Sequence, residues 1–120
     1  MSGVRAIRGA VQAPENSRAA IEAATRTLLT TMAERNGLEV DDVVAVWFTQ
    51  TPDLTAAHAA AAARALGWTS VPLLSAQEVP VAGQLPRVVR ALVLAQREGG
   101  VQEVRHVYLG ETSVLREDLA

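Results

Sequence analysis

Residues Val71 to Arg90 read VPLLSAQEVPVAGQLPRVVR, and the architecture turns on how this stretch divides. Val71, Leu73 and Leu74 open it as an apolar strand, predicted over Val71 to Ser75. The chain then turns polar at Ser75, Gln77 and Glu78, and Pro80, Gly83 and Pro86 shape the loop that follows. Val88 and Val89 restart an apolar run, predicted as a strand from Val88 to Ala95 with Arg90 inside it. A cation among Val88, Val89, Leu92, Val93 and Leu94 is expensive to bury without a partner. A carboxylate at a strand end, on a loop stiffened by proline, stands where binding groups are commonly carried. The remaining strands and helices must supply partners for Glu78 and Arg90.

Upstream, Val43 to Thr49 (VVAVWFT) is apolar on both faces and β-branched at its start, which predicts a central strand covered by helices. Thr51-Pro52-Asp53 reads as a turn ending in a helix-capping residue, followed by an alanine-rich helix from Ala56 to Leu66 that Gly67 closes. Further back, Val4 to Val11 alternates as a strand, and Gly9 beside Arg8 predicts close backbone approach or a bulge. Asn16 or Ser17 caps a helix running to about Asn36, with Ile21, Ala24, Leu28 and Met32 as its apolar stripe. Asn36-Gly37 is its stop. Downstream, Arg97 to Gly100 reads as a turn and Val104 to Leu109 (VRHVYL) as a last strand. A tail from about Gly110 to Ala120 is expected to hold one short turn and then fray.

This order predicts a single α/β (α+β) domain over residues 1–120, with a mixed sheet of about five strands and two main helices on one face. The opposite face would be apolar and bare, and a bare face predicts self-association. An apolar fraction of 49% and a charged fraction of 20% fit a globular chain, and the net charge of -2 excludes a strongly basic nucleic-acid or membrane-surface binder. All 11 basic side chains are arginine, so every cation can present a planar fork to a carboxylate. Without cysteine there is no disulfide or thiolate chemistry. No apolar run approaches the ~20 residues of a membrane span. MSGVRAIRGA lacks the apolar segment of a secretion signal, so a cytoplasmic location is the expectation.

Two readings fit the charges. Glu78 with one arginine makes a structural ion pair, or Arg8 and Arg90 converge with Glu78 on an anionic ligand. Two arginines with one glutamate leave a surplus positive charge that a dianion would neutralise. Tyr108, the one tyrosine, also serves as an ordinary packed ring, Arg64 as a partner for a helix dipole, and Ser75 as a turn residue. His58 and His106 lack metal-ligand spacing, so no metal site is expected. Trp47 and Trp68 are assigned to core or interface.

Several motifs carry a resemblance further. They are RAIRGA (Arg5 to Ala10), TPDLTA (Thr51 to Ala56), GW with VP (Gly67 to Pro72), QE (Gln77-Glu78), RVVR ending at Arg90, RHVYL (Arg105 to Leu109) and VLREDL (Val114 to Leu119). In order and spacing, over nearly the whole length, the chain resembles the monofunctional chorismate mutases of the trimeric pseudo-α/β-barrel type, the AroH class. The resemblance implies an isomerase of aromatic amino-acid biosynthesis (the shikimate pathway) that rearranges chorismate to prephenate without a cofactor. It implies a homotrimer with sites at subunit boundaries and no nucleic-acid or membrane partner. By position, Arg90 would meet the breaking ether bond, Arg8 would anchor a carboxylate, and Glu78 would accept from the ring hydroxyl. Tyr108 would donate to a carboxylate, and Leu74, Ser75, Ala76 and Gln77 would line the pocket. Arg64 from a neighbouring subunit would close the mouth, with Leu115 on the tail. Ser75 stands where some members carry cysteine, His58 replaces an aromatic wall, and Ala61 replaces a basic residue, which puts affinity rather than chemistry at issue. The rival readings are a trimeric imine-deaminase-like enzyme, which also anchors carboxylates with arginine, and a non-catalytic sensor of an aromatic-pathway acid.

Overall fold

The structure, a computed structural model, describes residues 2–98 and 103–119, with residues 2, 98 and 116–119 described by their backbone alone. Strand β1 (Ser2–Gln12) leads to helix α1 (Arg18–Arg35), strand β2 (Val43–Gln50) and the short helix α2 (Ala59–Ala65). Strands β3 (Leu73–Gln77), β4 (Val88–Glu98) and β5 (Val107–Tyr108) follow, and then a 3-10 helix, Gly110–Leu119. The order across the sheet is β3-β2-β4-β1-β5. Strand β4 is antiparallel to β1 and β2, while β2 with β3 and β1 with β5 are parallel. The expected mixed five-stranded sheet with two helices is thus observed.

Local chemistry sets the helix ends. The Ser17 hydroxyl accepts the Ala20 N–H at 3.1 Å, satisfying one of the unpaired donors that open α1. Ile21, Thr25, Leu28, Leu29 and Met32 form the buried face of α1. They join Ile7, Val11, Val46, Phe48, Val89 and Val93 of the sheet in one core. At Gly9 helix α1 packs tightly on the sheet, since a Cβ there would lie 2.5 Å from Met32 Sδ. Asn36 ends α1 and Gly37 follows at φ +61°, the left-handed conformation that the stop signal called for.

Neither α1 nor α2 packs on the second face of the sheet. Strand alternation places Val4, Arg8, Trp47, Leu74, Arg90 and Leu92 there, because directly paired residues share a face. Val4, Trp47, Leu74 and Leu92 are 49%, 41%, 59% and 38% exposed, far more than core residues of their size. The bare apolar face expected from the sequence is present.

Several boundaries differ from expectation. Strand β2 is internal, but helices cover it on one side only, and its outward Trp47 is exposed. Helix α2 starts at Ala59, and Asp53 does not cap it; Gln50 Oε1 accepts the Ala59 N–H at 2.7 Å instead. Strand β3 begins at Leu73 and runs to Gln77, because its polar end pairs with Gln50 of β2. Strand β4 runs through Arg97 and Glu98, where a turn was expected, and Gly99 and Gly100 lie outside the described residues. Strand β5 shrinks to two residues. The Asn36 side chain takes the Arg105 backbone on both its N–H (2.8 Å) and its carbonyl (2.9 Å), and the His106 ring replaces the next ladder acceptor. The tail forms a ten-residue 3-10 helix rather than one short turn.

Candidate active site

One row of residues crosses all five strands. Tyr108 pairs with Ala10, Ala10 with Arg90, Arg90 with Thr49, and Thr49 with Ala76. Arg8 pairs with Leu92 in the next row and lies diagonally from Arg90 on the same face. Such diagonal neighbours are about 7–8 Å apart, within reach of two long side chains. Tyr108 and Arg90 are separated by one strand carrying the small Ala10, so their backbones stand roughly 10 Å apart. The structure therefore brings Arg8, Arg90 and Tyr108 to one patch of the bare face.

Glu78 joins them from the loop after β3. Its backbone N–H donates to Gln50 O at 2.8 Å, and its Oε1 lies 2.6 Å from Arg90 Nε. The Thr49 hydroxyl also donates to that oxygen, at 3.3 Å. The Arg90 Nε–H is not aimed at the carboxylate, so the contact is an ion pair without an aligned hydrogen bond. With side chains 39% and 17% exposed, such a pair adds on the order of 1 kcal/mol or less to stability. Stability alone is a weak reason to place an arginine inside this strand. Among the described residues Arg8 forms no ion pair, so the patch of Arg8, Arg90 and Glu78 keeps a surplus positive charge. Arg8 is held at its backbone, where its N–H donates to His106 Nδ1 at 2.9 Å.

Ser75, Ala76, Gln77 and His58 form a second group. They line a cleft of about 480 Å³ with Gln50, Thr51, Pro52 and the Leu54–Ala57 segment. The Ser75 hydroxyl is buried there and makes no hydrogen bond among the described residues. An adjoining cleft of about 240 Å³ adds Arg18, Glu22, Ala61 and Arg64 and shares Ala56, Ala57 and His58. Arg8, Glu78, Arg90 and Tyr108 line neither cleft. Within one chain the cleft and the arginine patch are thus separate groups that meet at Ala76, which lines the cleft and stands in the Arg90 row. Leu74 points from β3 to the bare face. Leu115 is half-buried on the 3-10 helix, which the Thr112 hydroxyl fastens to Ala10 O at 3.1 Å.

The cleft wall is held from both sides. The buried Gln50 amide donates to Leu54 O at 3.2 Å and Ala57 O at 2.9 Å, besides capping α2. Asn16 Oδ1 accepts the Thr55 and Ala56 N–H groups at 3.0 and 3.1 Å. None of Thr49, Gln50, Asn16 or His106 was marked by the sequence as serving the site. A polar residue closing an apolar strand, as Gln50 does, was the one available signal. Among the described residues no group of acidic and histidine side chains could hold a metal ion, and no helix is long and apolar enough to cross a membrane.

Comparison with known proteins gives the same direction throughout. A family profile described as chorismate mutase type I matches residues 4–119. The chain is 52% identical over 117 residues to the chorismate mutase AroH of Thermus thermophilus, covering 97% of this chain and 96% of that one. It is 37% identical over 118 residues to the chorismate mutase AroH of Bacillus subtilis, covering 98% and 93%. A solved chorismate mutase from Clostridium thermocellum superposes with a TM-score of 0.87 at 42% identity, covering 92% of this chain and 98% of that one. With the fold matched and the similarity running from end to end, the chain belongs to the type I chorismate mutase family.

Proposed function

We infer that the protein is a chorismate mutase, an isomerase that rearranges chorismate to prephenate. The observation that carries this reading is the shared face of Arg8 and Arg90, with Tyr108 in the row of Arg90 and Glu78 as their one acidic partner among the described residues. With Arg64 of the neighbouring subunit, three arginines against one glutamate leave two positive charges, which a substrate with two carboxylates balances. The reaction is an intramolecular Claisen rearrangement, so it needs neither a nucleophile nor a proton carrier. Its barrier falls when the reactive chair is held and when the charge that separates in the transition state is met by fixed groups.

In this reading Arg90 faces the ether oxygen as its bond lengthens and negative charge gathers there. Arg8 and Tyr108 bind carboxylate, and Glu78 accepts from the ring hydroxyl while keeping Arg90 in place. The protein works as a homotrimer. The cleft of Ser75, Ala76, Gln77 and His58 on one subunit, with Arg64 at its mouth, completes the arginine patch of the next. Leu74 and Leu115 close its apolar wall. Supporting this are the two separate half-sites within one chain and the exposed Trp47, Leu74 and Leu92 beside the arginines.

The test is the loss of chorismate absorbance on adding purified protein, with prephenate identified as the product. Catalytic turnover with no added cofactor is the expected result. Tight binding of chorismate without turnover would replace the enzyme by a sensor. Activity on an imine substrate alone would move the chain to a deaminase role.

A further inference from the structure

Arg87 is the one residue other than glycine, among those described, with a positive φ, at +55°. A left-handed conformation is strained for an arginine and persists only where its surroundings impose it. The surroundings here are specific. Asp53 accepts the Arg87 N–H on both carboxylate oxygens, at 3.2 and 3.0 Å. Arg87 also exchanges two bonds with Ala13, its Nε donating to Ala13 O at 2.9 Å and its carbonyl accepting the Ala13 N–H at 2.8 Å.

The same carboxylate accepts the Thr51 hydroxyl at 2.5 Å, and Thr51 Oγ1 receives the Val88 N–H at 3.0 Å. The Thr51 N–H returns to Val88 O at 3.0 Å. Strand β4 is therefore gripped at its first residue by the Thr51-Pro52-Asp53 turn. Thr51, Val88 and Val89 are 1%, 1% and 0% exposed, so little slack separates this knot from Arg90, two residues on from Val88. Beyond Thr51, β2 carries Thr49, which pairs with Arg90 and bonds Glu78. Arg90 and Thr49, which both contact the Glu78 carboxylate, thus each lie two residues from this knot.

We propose that Asp53 is a positioning residue for Arg90. It holds Arg87 left-handed so that β4 enters the sheet at the height and angle that set the Arg90 guanidinium beside Glu78. This rests on the reading of Arg90 as the cation that meets the substrate. Asp53 itself touches no substrate. Its effect passes through Arg87 and Val88 to the third and fourth residues of the run RVVR.

The experiment compares Asp53→Ala, Asp53→Asn, Arg87→Gly and the double variant Asp53→Ala/Arg87→Gly. Small misplacements of a reacting group cost up to about 10²-fold, so Asp53→Ala is expected to lower kcat by about 10- to 100-fold with KM changed much less. Asp53→Asn keeps one acceptor and should fall between it and the parent. If Asp53→Ala does not fold, the Asn variant carries the same comparison. Glycine adopts positive φ without strain, so Arg87→Gly alone should leave kcat within about twofold. In the double variant kcat should return to near that of Arg87→Gly, because the conformation no longer has to be imposed. The Arg90 Nε–H resonance, read by nuclear magnetic resonance, should shift in Asp53→Ala and return in the double variant. A drop in melting temperature with kcat and that resonance unmoved would overturn the proposal, and so would a double variant no better than Asp53→Ala. If the parent protein does not act on chorismate, the proposed function falls, while the resonance still decides the role of Asp53.

Discussion

Replacing Arg90 by citrulline, which keeps the planar side chain and removes its charge, is expected to lower kcat by about 10²–10³-fold. The reason lies in where charge appears. The Claisen transition state is more polar than chorismate, and a fixed cation at the breaking bond acts mainly after the bond begins to stretch. An interaction made chiefly in the transition state appears in kcat rather than in KM. The substitution should cost little stability, because the Glu78–Arg90 pair is partly exposed. Single-turnover kinetics with melting curves on the same preparations check this. A variant with near-normal kcat, or one whose loss tracks its melting temperature, would remove Arg90 from the chemistry.

The second large effect concerns assembly. Trp47 sits outward on β2 in the row of Arg8, Leu92 and Leu74, and is 41% exposed in the single chain. Changing an exposed residue to Asp in an isolated protein alters stability by about 0.5 kcal/mol or less. Were the same residue covered by another subunit, the carboxylate would be buried unpaired at a cost of several kcal/mol. In the proposed trimer, Trp47→Asp is therefore expected to favour monomers and to lower kcat/KM by at least about tenfold, since the proposed shared site would lose its second subunit. Sedimentation with parallel assays reads both. A parent protein that is already monomeric and fully active would contradict the shared site, as would a Trp47→Asp variant that keeps both mass and rate.

The fold could be read from the sequence where periodicity and capping agreed. Helix α1 was found with its cap and its stop, because Ser17, the stripe from Ile21 to Met32, and Asn36-Gly37 all point the same way. The bare sheet face followed from the element order. Errors fell where side chains stand in for backbone. Strand β5 was drawn too long, because nothing local announces that the Asn36 amide and the His106 ring will take its ladder positions. Helix α2 was started too early, because its cap comes from Gln50, nine residues away. Asp53 looked like that cap and instead holds Arg87, 34 residues downstream.

The candidate site divides in the same way. The cations stood out because charges inside apolar strands are anomalous, and Glu78 because it ends a strand on a proline-stiffened loop. Tyr108, Ser75, His58 and Arg64 drew attention only through resemblance, each having an ordinary structural reading of its own. The resemblance implied a site shared between subunits, with Arg64 supplied by a neighbouring chain, but not which residues of one chain stand apart. That Ser75 and Gln77 line the cleft with His58 while Arg8 and Arg90 stand on the bare face depends on the sheet register.

The most direct measurement mixes two crippled variants, Arg90→Ala and Arg64→Ala, under conditions that let subunits exchange. If each site takes Arg90 from one chain and Arg64 from the next, every mixed trimer regains one intact site. A closed three-fold ring mixed at equal concentrations then recovers about a quarter of the parental kcat/KM. Activity that stays at the average of the two variants would show that each site is built within a single chain, and would contradict the account.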